Sequence, residues 1–217
     1  MRTPAPSERA RVRRLPARAD YDRDTIASIL REGFVAHVGI HTQDGPFVLP
    51  MVYGFDGEWI YLHGSPASRL LRHLAGGAAL CLTVTLLDGL VLARSAFHHS
   101  MNYRSVTVLG NPVEVTGREE KLRALHVVVE HVVPGRAAGS RPPSERELAA
   151  TLVVKLPVSE AAAKVRTGPP LDDAEDVGLA HWAGELPIAL AYAAPVPAPG
   201  LRAGLAPPAC VGGYGRP

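Results

Sequence analysis

Two stretches of this chain gather side chains whose types and spacing could do chemistry. In the first, Trp59-Ile-Tyr-Leu-His-Gly-Ser-Pro-Ala-Ser-Arg-Leu-Leu-Arg-His-Leu74, an aromatic and aliphatic run passes through Gly64 into a helical pattern. The sequence predicts that Ser65 caps this helix, that Pro66 takes its first position, where an N–H would go unpaired anyway, and that Leu70, Leu71 and Leu74 form the buried stripe. The hydroxyls of Ser65 and Ser68 and the guanidinium of Arg69 then join free backbone N–H groups at the positive end of the helix dipole, a combination that suits a phosphate. The second stretch is Arg94-Ser-Ala-Phe-His-His-Ser-Met-Asn-Tyr-Arg104, unusually dense in polar groups. His98 and His99 are side chains that titrate near neutral pH, and Tyr103 can donate to a developing oxyanion; these three are the candidates for substrate contact or proton delivery. A zinc site is not expected, because adjacent histidines on a strand point to opposite faces and no Cys or carboxylate stands at ligand spacing.

The elements that must position these residues follow from pattern. Asp22 or Asp24 can cap a short helix with Ile26, Ile29 and Leu30 on one face, ended by Gly33. Strands follow at Phe34 to His41, Pro46 to Phe55 and Glu58 to His63, joined by turn chemistry at Thr42-Gln-Asp-Gly45 and Asp56-Gly57. Ala78 to Thr85 is a continuous apolar strand, Asp88-Gly89 reads as a turn, and Ser105 to Gly110 as a further strand that Val113 to Val115 extends past Asn111-Pro112. Arg118 to Val133 is an amphipathic helix expected to turn Leu122, Leu125, Val129 and Val132 inward. Beyond it come a short helix at Glu145 to Ala150, a strand at Thr151 to Leu156 and a brief helix at Ser159 to Val165. Regularity weakens after Gly168, although Trp182 and Leu186 to Tyr192 are expected to pack down. Hairpin-joined strands with helices inserted between them predict a mainly β fold, a small antiparallel barrel with flanking helices.

Composition bounds what such a fold could do. The chain has 217 residues, and a hydrophobic content of 47% is enough for one real core. The expected division is a basic flexible arm over 1–14, a single domain over 15–193 and a Pro/Gly-rich disordered tail over 194–217. Lys and Arg number 23 against 21 Asp and Glu, a net charge of +2 that supplies no field toward nucleic acid or an anionic membrane. No apolar run approaches the roughly 20 residues that span a bilayer, and the charged start lacks a secretion signal, so the expected location is cytoplasmic. Two cysteines, Cys81 and Cys210, make no disulfide framework.

The order of strand, Asp-Gly hairpin, Tyr61-Leu-His-Gly-Ser65, Ser68-Arg69, buried strand, and then Asn102-Tyr-Arg-Ser-Val106 with Gly110 resembles the pyridoxamine 5′-phosphate oxidase-like superfamily of flavin-binding split barrels. The resemblance is to its flavin-nucleotide-binding branch, which includes nitroimidazole-resistance-type reductases, and it runs from about Leu15 to Leu190, taking in Lys164 to Pro170, Asp172-Asp173 and Trp182-Ala-Gly184. It implies an antiparallel split β-barrel, a homodimer with FMN at the subunit interface, and a small-molecule substrate. Leu49 to Tyr53, including Met51, Val52 and Tyr53, would offer backbone groups to the isoalloxazine ring. His63, Ser65, Ser68 and Arg69 match the positions that hold the ribityl chain and phosphate; many members carry Lys where this chain has Arg69, a planar fork in place of a point charge. Asn102, Tyr103, Arg104 and Ser105 match the strand that approaches the flavin from the other subunit. The implied activity is an FMN-dependent oxidoreductase passing electrons between a nicotinamide-type donor and a small organic acceptor, the flavin carrying the redox chemistry. The late Arg and His pattern that holds pyridoxal phosphate is absent. Three alternatives stand beside it: a haem-binding split barrel using His63, His98 or His99 among nine histidines, a deazaflavin in place of FMN, and a flavin-holding protein without turnover.

Overall fold

The structure is a computed structural model that describes residues 3–215. After a 3₁₀ turn at Pro16–Arg18 the elements run β1 (Ala19–Asp20), α1 (Arg23–Glu32), β2 (Val35–Thr42), β3 (Gly45–Val52), β4 (Gly54–Phe55), β5 (Trp59–Gly64), α2 (Arg69–Ala75) and β6 (Leu80–Leu92). A second 3₁₀ turn, Ala96–His98, leads to β7 (Ser100–Gly110) and β8 (Val113–Glu114), followed by α3 (Arg118–Val132), α4 (Glu145–Ala149), β9 (Leu152–Pro157), β10 (Ala161–Arg166), β11 (Gly184–Pro187) and α5 (Ala209–Gly212). Every strand pairing is antiparallel. One sheet has the order β1-β10-β7-β6-β2-β3, with β11 on the far stretch of β6; the other has the order β4-β5-β9-β8. The chain crosses from sheet to sheet at Tyr53, through α2 between Gly64 and Leu80, at Asn111-Pro112 and between Pro157 and Ala161, which splits the barrel into two leaves over a shared core. Val38, Leu82, Val106 and Val108 from one leaf meet Ile60, Leu62, Val154 and Leu156 from the other, with α1 and α2 closing the ends through Leu30 and Leu74.

Four local expectations are corrected. Asp88-Gly89 is no turn: β6 runs unbroken, and the register slips between Leu87 and Gly89, so that Asp88 is the extra residue of a β-bulge. The nearby Gly89 lets β11 approach, since a Cβ there would stand 3.1 Å from the Leu186 carbonyl oxygen. Ser159 to Val165, alanine-rich and helix-prone, is instead a turn and β10; pairing from Ala161↔Val108 to Arg166↔Tyr103, with Ala161, Ala162 and Ala163 buried, overrides propensity. On α3 the fully buried residues are Ala124, Val128 and His131; of the expected inward set, Leu125 packs half-buried on the same cluster, Leu122 and Val132 are half-buried, and Val129 is exposed. Gly54 permits this packing, because its missing Cβ lets the Val128 backbone come within 2.8 Å of where that atom would be. Finally, Trp182, Leu186, Ile188 and Leu190 stay exposed where they were expected to pack down. At the two ends of the chain, Arg9 and Ser7 bond Glu160, and Tyr214 donates to the Val132 carbonyl at 2.5 Å.

Candidate functional site

The first candidate cluster is built at the end of β5. His63 faces a buried environment in which its Nδ1 has no hydrogen-bond partner, and that burial lowers its pKa and keeps the ring neutral. Such an orphaned atom is costly unless something bonds it. Gly64 then brings the strand onto α2, since a Cβ there would lie 2.8 Å from Leu71 Cδ1. The helix begins one turn later than expected. Ser68, not Ser65, is its cap and accepts from the Leu71 N–H at 3.3 Å; Ser65 instead closes a preceding turn, its Oγ taking the Ala67 N–H at 3.1 Å and its carbonyl the Ser68 N–H at 2.9 Å. Pro66 fixes that turn rather than a first helical position. Leu70, Leu71 and Leu74 are buried as the sequence predicts.

Arg69 lies 4.1 Å above the Phe47 ring and 3.5 Å from the Asp44 carboxylate, with both side chains of that pair exposed. Most of its donors remain directed to solvent, the condition an anion requires. Beside it, β3 is the terminal strand of its sheet, so alternate backbone groups along 45–52 point away from β2 toward open space, with no N–H at Pro46 or Pro50. Met51 is half-buried and Val52 exposed. Tyr53, by contrast, turns its side chain wholly into the core, its hydroxyl donating toward the Leu30 carbonyl at 2.6 Å, with the Gly33 carbonyl at 3.0 Å. Those carbonyls end α1, and His131 donates to the second at 2.8 Å, so Tyr53 completes a helix end and leaves only its backbone for a ligand.

The second cluster lies at the opposite end of the larger sheet. Phe47 pairs with Ile40, Ile40 with Leu80 and Leu80 with Gly110, which puts Arg69 at the start of β6; the His98 turn sits beyond the Val91↔Ser100 pair. At ~3.3 Å per residue the run from Leu80 to Val91 spans roughly 36 Å, so one chain does not bring its two clusters together. His98 donates Nε2–H to Asp173 at 3.1 Å, and the exposed His99 donates Nδ1–H to the Ser95 carbonyl at 3.0 Å. They stand on a 3₁₀ turn rather than a strand. Asn102 is buried between Glu185, 2.5 Å from its Nδ2, and the guanidinium of Arg166. Tyr103 is half-buried, and Ser105 donates to the Lys164 carbonyl at 3.3 Å.

Arg104 does not match a ligand-binding role. The bulged Asp88 takes its Nε at 3.0 Å and Nη2 at 2.8 Å, while Glu32 of α1 takes Nη2 at 2.7 Å and Nη1, leaving a single N–H. Hydrogen bonds first to Glu32 and then to Asp88 raise its pKa further. Asn102 is likewise committed. One partner, Glu185, comes with Asp172 and Asp173 from the segment after β10, and the other, Arg166, ends β10; the sequence signal for that segment was the family resemblance carried by Asp172-Asp173 and Trp182-Ala-Gly184. Arg166 is as enclosed as Asn102 and donates to the carbonyls of Gly168 at 2.6 Å and Pro169 at 2.8 Å.

A family model described as pyridoxamine 5′-phosphate oxidase matches residues 22–165. The chain belongs to this family. Among solved structures it is similar to the flavocytochrome Anf3 from Azotobacter vinelandii, at 40% identity and a TM-score of 0.90, covering 95% of this chain and 96% of that one. It is similar also to an FAD and heme binding protein from Mycobacterium smegmatis, at 34% identity and a TM-score of 0.88 over 92% and 98%. A protein assigned to 5-nitroimidazole antibiotic resistance in Bacteroides thetaiotaomicron is 27% identical with a TM-score of 0.58, but covers only 68% of this chain and 86% of that one. No curated protein matches. Coverage of 95% is reachable only if most of the chain beyond Val165 is matched too, so the segment that holds the second cluster of this split barrel has its counterpart in the first of these structures. Among the described residues no helix is long and apolar enough to cross a membrane.

Proposed function

We propose that this protein is a homodimeric flavin- and haem-binding oxidoreductase that passes electrons between the two groups. The observation that carries the reading is similarity along essentially the whole chain to a flavocytochrome, including the segment after β10 that lies outside the family model. Bound here, the flavin would supply two-electron exchange with a nicotinamide-type donor and the haem iron one-electron exchange, with a small molecule as final acceptor. Ser65, Ser68 and Arg69 hold the flavin phosphate, the free edge of β3 at Met51 and Val52 bonds the ring, and His63 Nδ1 receives the partner it lacks in the chain alone. FAD is the form we favour over the FMN expected from sequence, on the likeness to an FAD and heme binding protein. A histidine that held haem iron would do so as the neutral imidazole, and the candidates for that role remain His63 and the His98-His99 turn.

The separation of the clusters supports the dimer. Two copies paired head to tail across the outer face of the larger sheet, where Val35, Val48, Val52 and Leu87 are exposed, bring the cradle of one copy to the histidine turn of the other. Tyr103, on that same strand end, then contacts substrate or delivers protons. Two free cysteines and no field toward nucleic acid fit a cytoplasmic redox protein.

The test is an absorption spectrum of protein purified from haem-replete cells, with chromatography of the released flavin and anaerobic addition of reduced nicotinamide. Flavin bands, a Soret band, released FAD and reduction of both chromophores are expected. A protein that neither carries nor takes up haemin reduces the reading to a flavin reductase. One that takes up no flavin removes it.

A further inference from the structure

We infer that Asp172 and Asp173 are positioning residues that lock His98 and His99 in opposite tautomers, and so present the Nε2 lone pair of His99 to the reacting group. The inference depends on the proposed haem only for the identity of that group. Its basis is a chain of hydrogen bonds from the C-terminal segment to both rings.

Asp172 is 3% exposed. One carboxylate oxygen accepts from the Arg94 N–H at 2.8 Å, the other from Arg94 Nη1 at 2.7 Å, and the Ser95 N–H adds a third bond. Burial alone would favour its neutral form, but these donors outweigh it and hold its pKa below the usual carboxylate range. Arg94 is kept in place even though its buried Nε finds no partner, a cost that only a strongly determined geometry sustains. Ser95 is thereby fixed, and it organises the turn: its Oγ takes the Phe97 N–H at 3.3 Å, while its carbonyl takes the His98 N–H at 3.1 Å and His99 Nδ1–H at 3.0 Å.

The tautomers follow from what each partner can do. A carbonyl oxygen only accepts, so Nδ1 of His99 carries the proton and Nε2 the lone pair. An ionised carboxylate also only accepts, so in neutral His98 the proton sits on Nε2, 3.1 Å from Asp173, and the lone pair on Nδ1. His98 packs edge-on against Phe97 with ring centroids 5.2 Å apart and is the more enclosed ring, whereas His99 is exposed. Of the two lone pairs, that of His99 Nε2 is therefore the accessible one. An imidazole whose other nitrogen donates to a carbonyl is the arrangement that fixes and strengthens an iron ligand or proton acceptor.

Histidine-selective ¹⁵N labelling of the full-length protein reads which ring nitrogen bears the proton, whether or not a cofactor binds. Wild type is expected to show His98 with Nε2–H and His99 with Nδ1–H. Asp173→Asn should mix the tautomers of His98 alone. Asp172→Asn should mix those of His99 and weaken haemin binding by about 10-fold, the usual effect of removing a bond behind a metal ligand. Should Asp172→Asn fail to fold, Asp173→Asn, at an exposed carboxylate, carries the test. Unchanged tautomers in the folded variants overturn the positioning role. Mixed tautomers of His99 with unchanged haemin affinity sustain that role and remove haem from His99, the separate failure of the proposed function.

Discussion

The two ends of the larger sheet hold arginines in opposite conditions. At the β3 and α2 end, Arg69 is exposed, stacked on Phe47 and loosely paired with an exposed Asp44. At the other end Arg104 is bound by two carboxylates, and Arg166 is enclosed by Asn102 and two carbonyls. The difference separates binding from holding. An arginine available to a ligand is one whose own fold leaves its donors unspent, whereas the others spend theirs joining α1, the bulge of β6 and the C-terminal segment to the barrel.

Breaking that comparison should first show in stability. Arg166→Met leaves Asn102 and two carbonyls without their donor in an enclosed site, and about 3 kcal/mol of unfolding free energy should be lost, read from the urea midpoint. A variant as stable as wild type would mean that water replaces the guanidinium and that this end is not held by it. The pair Ser68→Ala with Arg69→Ala should do the reverse. Losing the cap costs about 1 kcal/mol of stability and the exposed arginine less, but flavin affinity should fall about 100-fold, the scale of two charge-assisted hydrogen bonds. Equal flavin affinity in a titration would remove the phosphate site. Arg104→Leu comes next: it strands the half-buried Glu32 and Asp88, and after allowance for solvent the loss should be about 2 kcal/mol, with flavin affinity unchanged. A selective loss of flavin binding there would return Arg104 to the site.

The sequence carried the end of β5 and the start of α2 well because the information there is local. Tyr61 to Arg69 packs a strand end, a turn and a cap into adjacent residues, and the error of one turn in the helix start arose because Ser65-Pro66 suits a turn and a cap equally. The barrel itself was legible for the same reason, through Asp-Gly hairpins and alternating strands. What local pattern could not carry was the fate of polar residues whose partners lie far along the chain. Asn102 meets Glu185, and Arg104 meets Glu32 and a bulged Asp88 that reads as a turn. Tyr53 falls in the strand of the expected flavin edge, yet its side chain caps α1 from within the core. Side-chain type gives capacity, and only the fold tells whether that capacity is already used.

The arm sharpens the comparison with the smallest effect, because Arg9 is exposed and nevertheless spent. Its Nε donates to Glu160 at 2.8 Å and its Nη2 bonds the same carboxylate, together with Ser7. These bonds, Arg9 first, hold the Glu160 pKa down to about 2 from an ordinary 4.5. The sign follows from linkage: a depressed carboxylate contributes its stabilisation in full above the unfolded value of 4.5, and loses it as pH falls through about 2. The ¹³C shift of the Glu160 carboxyl should therefore titrate near pH 2 in wild type and move toward 4.5 in Arg9→Ala. Glu160→Gln should free the arm at neutral pH, with faster tryptic cleavage among Arg9, Arg11 and Arg13 and an unchanged unfolding midpoint for the barrel. A Glu160 that titrates at its ordinary value in wild type would show the arm unlatched in solution. Arg9 would then join Arg69 as an arginine with donors to spare, and exposure alone would be enough to recognise one.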